Sequence, residues 1–65
     1  MTIGEIEKIE AKMATVRLGP DQVAYFMVSH NSVTHGHKFN VGDRVSIRFG
    51  RDNSRVVSVV PADIP

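Results

Sequence analysis

Apolar and polar positions alternate most cleanly between Lys38 and Gly50. Val45, Ile47 and Phe49 fall on one side of the alternation, and Arg44, Ser46 and Arg48 on the other. A period of two with β-branched and aromatic residues on one side predicts a strand half-buried against a core. Val41-Gly42-Asp43 precedes it as a turn, since Gly42 tolerates positive φ and Asp43 can bond neighbouring backbone N–H groups. At the strand rise, Arg44 and Arg48 sit roughly 13 Å apart on the outer side.

The same pattern predicts four more strands. Ile6 and Ile9 are three residues apart among Glu5, Glu7 and Lys8, which a bulged strand over 3–10 accommodates. After a bend at Ala11-Lys12, the residues Ala14, Val16 and Leu18 alternate with Met13, Thr15 and Arg17 as a second strand. Gly19-Pro20-Asp21 is turn chemistry. The run from Gln22 to Ser29 is apolar on both sides, as for a strand with one face in the core and the other functional or covered by a partner. His30 to His37 lacks either period and reads as a loop, with a helical turn capped by Asn31 or Ser32. After a loop from Gly50 to Ser54, Arg55 to Val60 forms a valine-rich last strand that Pro61 stops. Five short, evenly spaced strands predict an all-β fold, a small five-stranded antiparallel barrel, closed or nearly so because free edges invite aggregation. It occupies residues 1–61 as one domain, with a short tail over 62–65, and its core draws on Ile6, Val16, Leu18, Val45 and Ile47.

Composition narrows the function. A chain of 65 residues without cysteine has neither a disulfide nor a thiolate metal site to staple it, so stability rests on sheet closure or on a partner. No apolar run has the length of a membrane span and the start lacks a signal-peptide layout, from which a soluble, cytoplasmic protein is expected. The net charge is only +1, but its distribution is uneven. Glu5, Glu7 and Glu10 lie early, whereas Arg44, Arg48, Arg51 and Arg55 lie late. These arginines either make a local basic face or solvate a hairpin and pair with the early glutamates.

Gly4-Glu5-Ile6, His30-Asn31-Ser32 and Phe39-Asn40-Val41-Gly42-Asp43-Arg44-Val45 together resemble the cold-shock-type members of the OB-fold group. They correspond to that family's Gly-x-Val, His-x-Ser and Leu-x-x-Gly-x-x-Val segments. The resemblance implies a barrel that binds single-stranded RNA or DNA through aromatic side chains on its first three strands. This chain departs from the pattern there. Lys12-Met13-Ala14-Thr15-Val16 replaces the aromatic motif of the second strand, and Lys8 and Ile9 stand where first-strand aromatics are expected. Only Tyr25 and Phe26 remain, and being adjacent they must point to opposite faces.

Two functional readings follow. In the first, single-stranded nucleic acid binds a face built from Lys12, Arg17, Tyr25, His30, Lys38, Arg44 and Arg48. In the second, the doubly apolar third strand and the valine-rich last strand dock on a protein partner or form a homodimer. A third strand whose exposed face shows Ala24, Phe26 and Val28 among few charges favours the second, and arginines around Tyr25 favour the first. His30, His35 and His37 have a spacing that could converge on a metal, but without a nearby carboxylate or cysteine they read as solvated loop residues. No catalytic motif and no cofactor motif is present, so an enzyme is not expected.

Overall fold

A computed structural model describes residues 2–52 and 55–62 of the chain. Five strands are joined by tight turns and one short helix: β1 (Thr2–Glu10), β2 (Met13–Gly19), β3 (Gln22–Met27), α1 (Asn31–Thr34), β4 (Arg44–Phe49) and β5 (Val56–Pro61). They form one sheet in the order β3-β2-β1-β4-β5, with every pair antiparallel. The sheet curls into a half-barrel whose extents are 29 × 26 × 26 Å. Its two outer strands, β3 and β5, approach within 8 Å at Cα without joining the hydrogen-bonded order, so the barrel is not sealed.

Strand β1 lies at the centre of this arrangement. Its first half pairs with β4 from Thr2↔Ile47 to Glu5↔Arg44, and most of its length pairs with β2. Between Ile6↔Val16 and Lys8↔Thr15 the register shifts, leaving Glu7 as the extra residue of a bulge. That extra residue explains the three-residue spacing of the isoleucines. Ile6 and Ile9 both meet core residues, Val16 and Ala14, although strict alternation would have placed them on opposite faces. Gly4 permits the close packing of β1 on β2. A Cβ there would stand 2.5 Å from Val16 Cγ1, 2.8 Å from Leu18 Cδ2 and 2.9 Å from the Arg17 carbonyl oxygen.

The inward side chains of all five strands converge on one core. Ile6, Ala14, Val16, Val45, Ile47 and Val59 are fully buried, and Leu18 packs against them half-buried. Phe26 from β3 and Phe39 from the loop before β4 meet edge to face, with centroids 5.5 Å apart. The turn at Asn40–Asp43 is stapled to β1. Gly42 N–H donates to the Ile6 carbonyl and Ile6 N–H to the Asp43 carbonyl, while Asp43 Oδ2 accepts from Asn40 N–H at 2.8 Å. Gly42 holds φ at +96°, the conformation that only glycine adopts without strain.

Several boundaries differ from those the sequence predicts. The helical turn is capped by His30 rather than Asn31 or Ser32, and the cap makes no side-chain hydrogen bond. His30 C=O instead accepts from Val33 and Thr34 N–H, and from Thr34 Oγ1. The last strand ends at Pro61, but Pro61 is itself its final residue and pairs with Val45, after which Ala62 N–H donates to the Arg44 carbonyl. Ser46 does not face solvent with Arg44 and Arg48. It lies between Ile3 of β1 and Val60 of β5 at 6% exposure, and its hydroxyl has no hydrogen-bond partner among the described residues. Of the loop expected over 50–54 and the tail over 62–65, Asn53, Ser54 and residues 63–65 lie outside the described residues.

Two substitutions test the packing. Ile47→Ala empties a fully buried site and should cost about 2–5 kcal/mol in chemical denaturation. Gly4→Ala should destabilise by roughly 1–3 kcal/mol, the range for overpacking, since β1 and β2 must separate to admit the methyl group. Unchanged denaturation midpoints for both variants would contradict the central role of β1.

Candidate nucleic-acid interface

Strands β2 and β3 form a hairpin whose outward residues alternate with those in the core. Met13, Thr15 and Arg17 face out from β2, and Val23, Tyr25 and Met27 stand opposite Arg17, Thr15 and Met13. The backbone alternation separates the two aromatic neighbours as the sequence requires: Tyr25 is 56% exposed and Phe26 is 5% exposed. Ala24 joins Phe26 in the core, so the exposed face of the third strand is that of Tyr25. With Phe39 also buried and Phe49 half-buried, Tyr25 is the one exposed phenylalanine-or-tyrosine side chain among the described residues.

The row through Tyr25 continues to Thr15 and to Lys8 on β1. Beside it lies a shallow groove of about 700 Å³ lined by Lys8, Thr15, Arg17, Tyr25, Glu7 and Asp21, among others. The bulge in β1 brings Glu7 against Arg17, whose Nε donates to Oε1 at 2.7 Å and Nη2 to Oε2 at 3.3 Å. Arg17 Nη1 also reaches the Pro20 carbonyl at 3.3 Å. Lys8 Nζ pairs with Glu10 at 3.4 Å. The groove is therefore nearly neutral, with its cations held beside carboxylates. Met13 and Met27 face each other at one end and are each more than a third exposed.

Lys12 marks that same end. The β1–β2 connection consists of Ala11 and Lys12 between the paired residues Glu10 and Met13, with φ at +52° and +68°. Two successive left-handed residues are what a two-residue hairpin of type I′ demands, but asparagine and glycine usually supply them. Lys12 C=O accepts from Val28 N–H at 2.8 Å, which holds the turn against the end of β3.

The seven residues expected to share one face do not. Arg17, Tyr25 and Lys12 belong to the β2–β3 face or its end. Arg44 and Arg48 face out from β4, separated from Tyr25 by β2 and β1 on a curled sheet. Arg44 stands opposite Glu5, which in turn stands opposite Arg17, so glutamate interrupts the basic row. His30 is the cap of α1 and lines a groove at the free edge of β3 that Tyr25 also borders, whereas Lys38 lies in the loop that follows the helix. The reason is sheet order: the fourth strand in sequence lies beside the first, not the third. Met13, Met27 and Val23 belong to the Tyr25 face although the charge pattern does not point to them. Their signal is the alternation around Tyr25, which places every second residue on its face.

The three histidines go separate ways. His35 Nε2 hydrogen-bonds with Ser58 Oγ at 2.8 Å, tying the end of α1 to β5, and His37 leans on Phe39 with centroids 6.2 Å apart. Among the described residues, no group of three or more His, Asp or Glu is placed to hold a metal ion. Among them also, no helix is long and apolar enough to cross a membrane. Comparison of the chain with family models, with curated proteins and with solved structures found no match.

Because the Arg17–Glu7 pair is exposed, its role is to orient Arg17 rather than to hold the fold. Glu7→Gln should lower stability by only about 0.2–1 kcal/mol in urea denaturation. A larger loss would mean that the pair fixes the bulge itself.

Proposed function

We propose that this chain is an OB-type barrel that binds single-stranded nucleic acid along the outer face of β2 and β3. The observation that carries the reading is Tyr25, an aromatic ring more than half exposed at mid-strand on the outer face of the β2–β3 hairpin. Strand order β3-β2-β1-β4-β5, with a helix between β3 and β4, is compatible with the partly open Greek-key barrel of the OB group. In that architecture the second and third strands and the loops after the first and fourth strands form the usual oligonucleotide track. Here those loops carry Lys12, and Arg51 and Arg55.

The chemistry differs from a strongly basic binder. A base would stack on Tyr25 and its neighbour would lie against Met13 and Met27, whose polarizable thioethers adapt to any flat surface. Lys12 and Arg17 would contact phosphates, which position the strand without reading its sequence. Because carboxylates already accompany the central cations, stacking supplies more of the affinity than charge does.

Binding of oligothymidine, followed by fluorescence anisotropy at several salt concentrations, tests this. Tyr25→Ala should weaken binding by about 1–3 kcal/mol, the contribution of one stacked base. Lys12→Ala should flatten the salt dependence by roughly 0.7 in log–log slope, the share of one phosphate contact on a single strand. Arg44→Ala with Arg48→Ala should change neither quantity. If the arginine pair abolishes binding while Tyr25→Ala does not, the interface lies on β4 and this assignment is wrong.

A further inference from the structure

A second concave surface follows the unsealed seam of the half-barrel. Between β3 and β5 runs a groove of about 920 Å³, walled by Gln22–Met27 on one side and by Val56 and Val57 on the other. His30 and Val33 of the α1 region line it too, as does Arg55. Three properties of this groove restrict what it can hold.

The first is backbone. Strand β3 pairs with β2 on one edge only, and no backbone hydrogen bond joins its other edge to β5 among the described residues. A free strand edge presents alternating N–H and C=O groups, a pattern that another extended peptide backbone complements. The second is side-chain chemistry. From Gln22 to Met27 the edge strand has no charge and no proline, the usual devices that keep a foreign strand away. Among the described residues no aspartate or glutamate lines the groove, whereas Arg55 stands exposed beside its β5 wall. The third is space. The groove is closed on its far side by β5 and by α1, which packs on β5 and is tied to it through His35 and Ser58.

We infer that the seam is a strand-addition site for an extended peptide segment of a partner protein, apolar at alternate positions and carrying a carboxylate that meets Arg55. The segment pairs with β3 where the two walls diverge. Three strands side by side need about 9.6 Å between the outer two, so it does not fit where β3 and β5 approach within 8 Å. The segment uses the free edge of β3 rather than its outer face, although Tyr25 and Met27 of that face also line the groove, so the two readings share these side chains.

The test is an NMR titration of the full, isotope-labelled chain with the acetylated hexapeptide Val-Thr-Val-Thr-Val-Asp. The same peptide N-methylated at alternate amides, which cannot pair with a strand, serves as the control. The expected result is saturable amide shifts in Gln22–Met27 and Val56–Val57, none with the control. Arg55→Glu should weaken binding roughly ten-fold, the loss of one charge-assisted hydrogen bond. Arg55 is exposed, so the variant should fold, and its unperturbed amide spectrum verifies this. Equal binding of the methylated peptide, or no shifts with either peptide at millimolar concentration, overturns the proposal. So does sedimentation showing a dimer with β3 amides protected before any peptide is added, which would give the groove to a second copy. Oligothymidine moving Val56 and Val57 while the peptide moves no residue of the seam would give it to nucleic acid and would overturn the proposal equally.

Discussion

The structure depends on how closely β1 can lie against β2. Gly4 lacks the one atom that would collide with Val16, Leu18 and the backbone of Arg17. That contact lets the sheet curl tightly enough for β4 and β2, on either side of β1, to send their inward residues to the same core. Beyond Ile6 the bulge at Glu7 turns the strand so that Ile6 and Ile9 both face inward. The Asn40–Asp43 turn then docks its backbone on Ile6 from the other side. In a domain this small, which buries only about 60% of its unfolded surface, such dense packing around one strand has to replace a large core.

The same bulge shapes the surface chemistry. By adding one residue to β1 it brings Glu7 to Arg17 and leaves Lys8 in the row with Thr15 and Tyr25. The outer face is thus a patchwork in which carboxylates shadow cations, consistent with a net charge of +1 for the whole chain. What stands clear of this patchwork is Tyr25, with Met13 and Met27 facing each other to one side of it. A surface of that kind contacts flat, partly apolar groups and does not rely on a long-range field.

Much of the fold was legible in the sequence because period-two alternation is a direct consequence of strand geometry. Val45, Ile47, Val16 and Ile6 are fully buried for that reason. The bulge was legible too, since two isoleucines three apart cannot share a strand face without one. Three things were not. Strand order is a long-range property, so the separation of Arg44 and Arg48 from Tyr25 by two intervening strands has no local signature. The Ala11-Lys12 turn carries none of the usual turn residues for its left-handed conformation, and its tightness comes from the pairing of the strands it joins. Ser46 alternates as an outward residue and is buried nonetheless, because it lies mid-strand between two pairing neighbours, opposite Ile3 and Val60.

The central claim is that the outer face of β2 and β3, and not the arginine-bearing face of β4, meets the ligand. Residue-resolved NMR of the labelled chain with a short oligothymidine measures this directly. The account predicts that the largest shifts fall on Met13, Thr15, Tyr25, Met27 and Lys12, with Arg44 and Arg48 unmoved. Shifts centred on Arg44 and Arg48, or none at low ionic strength, would contradict it.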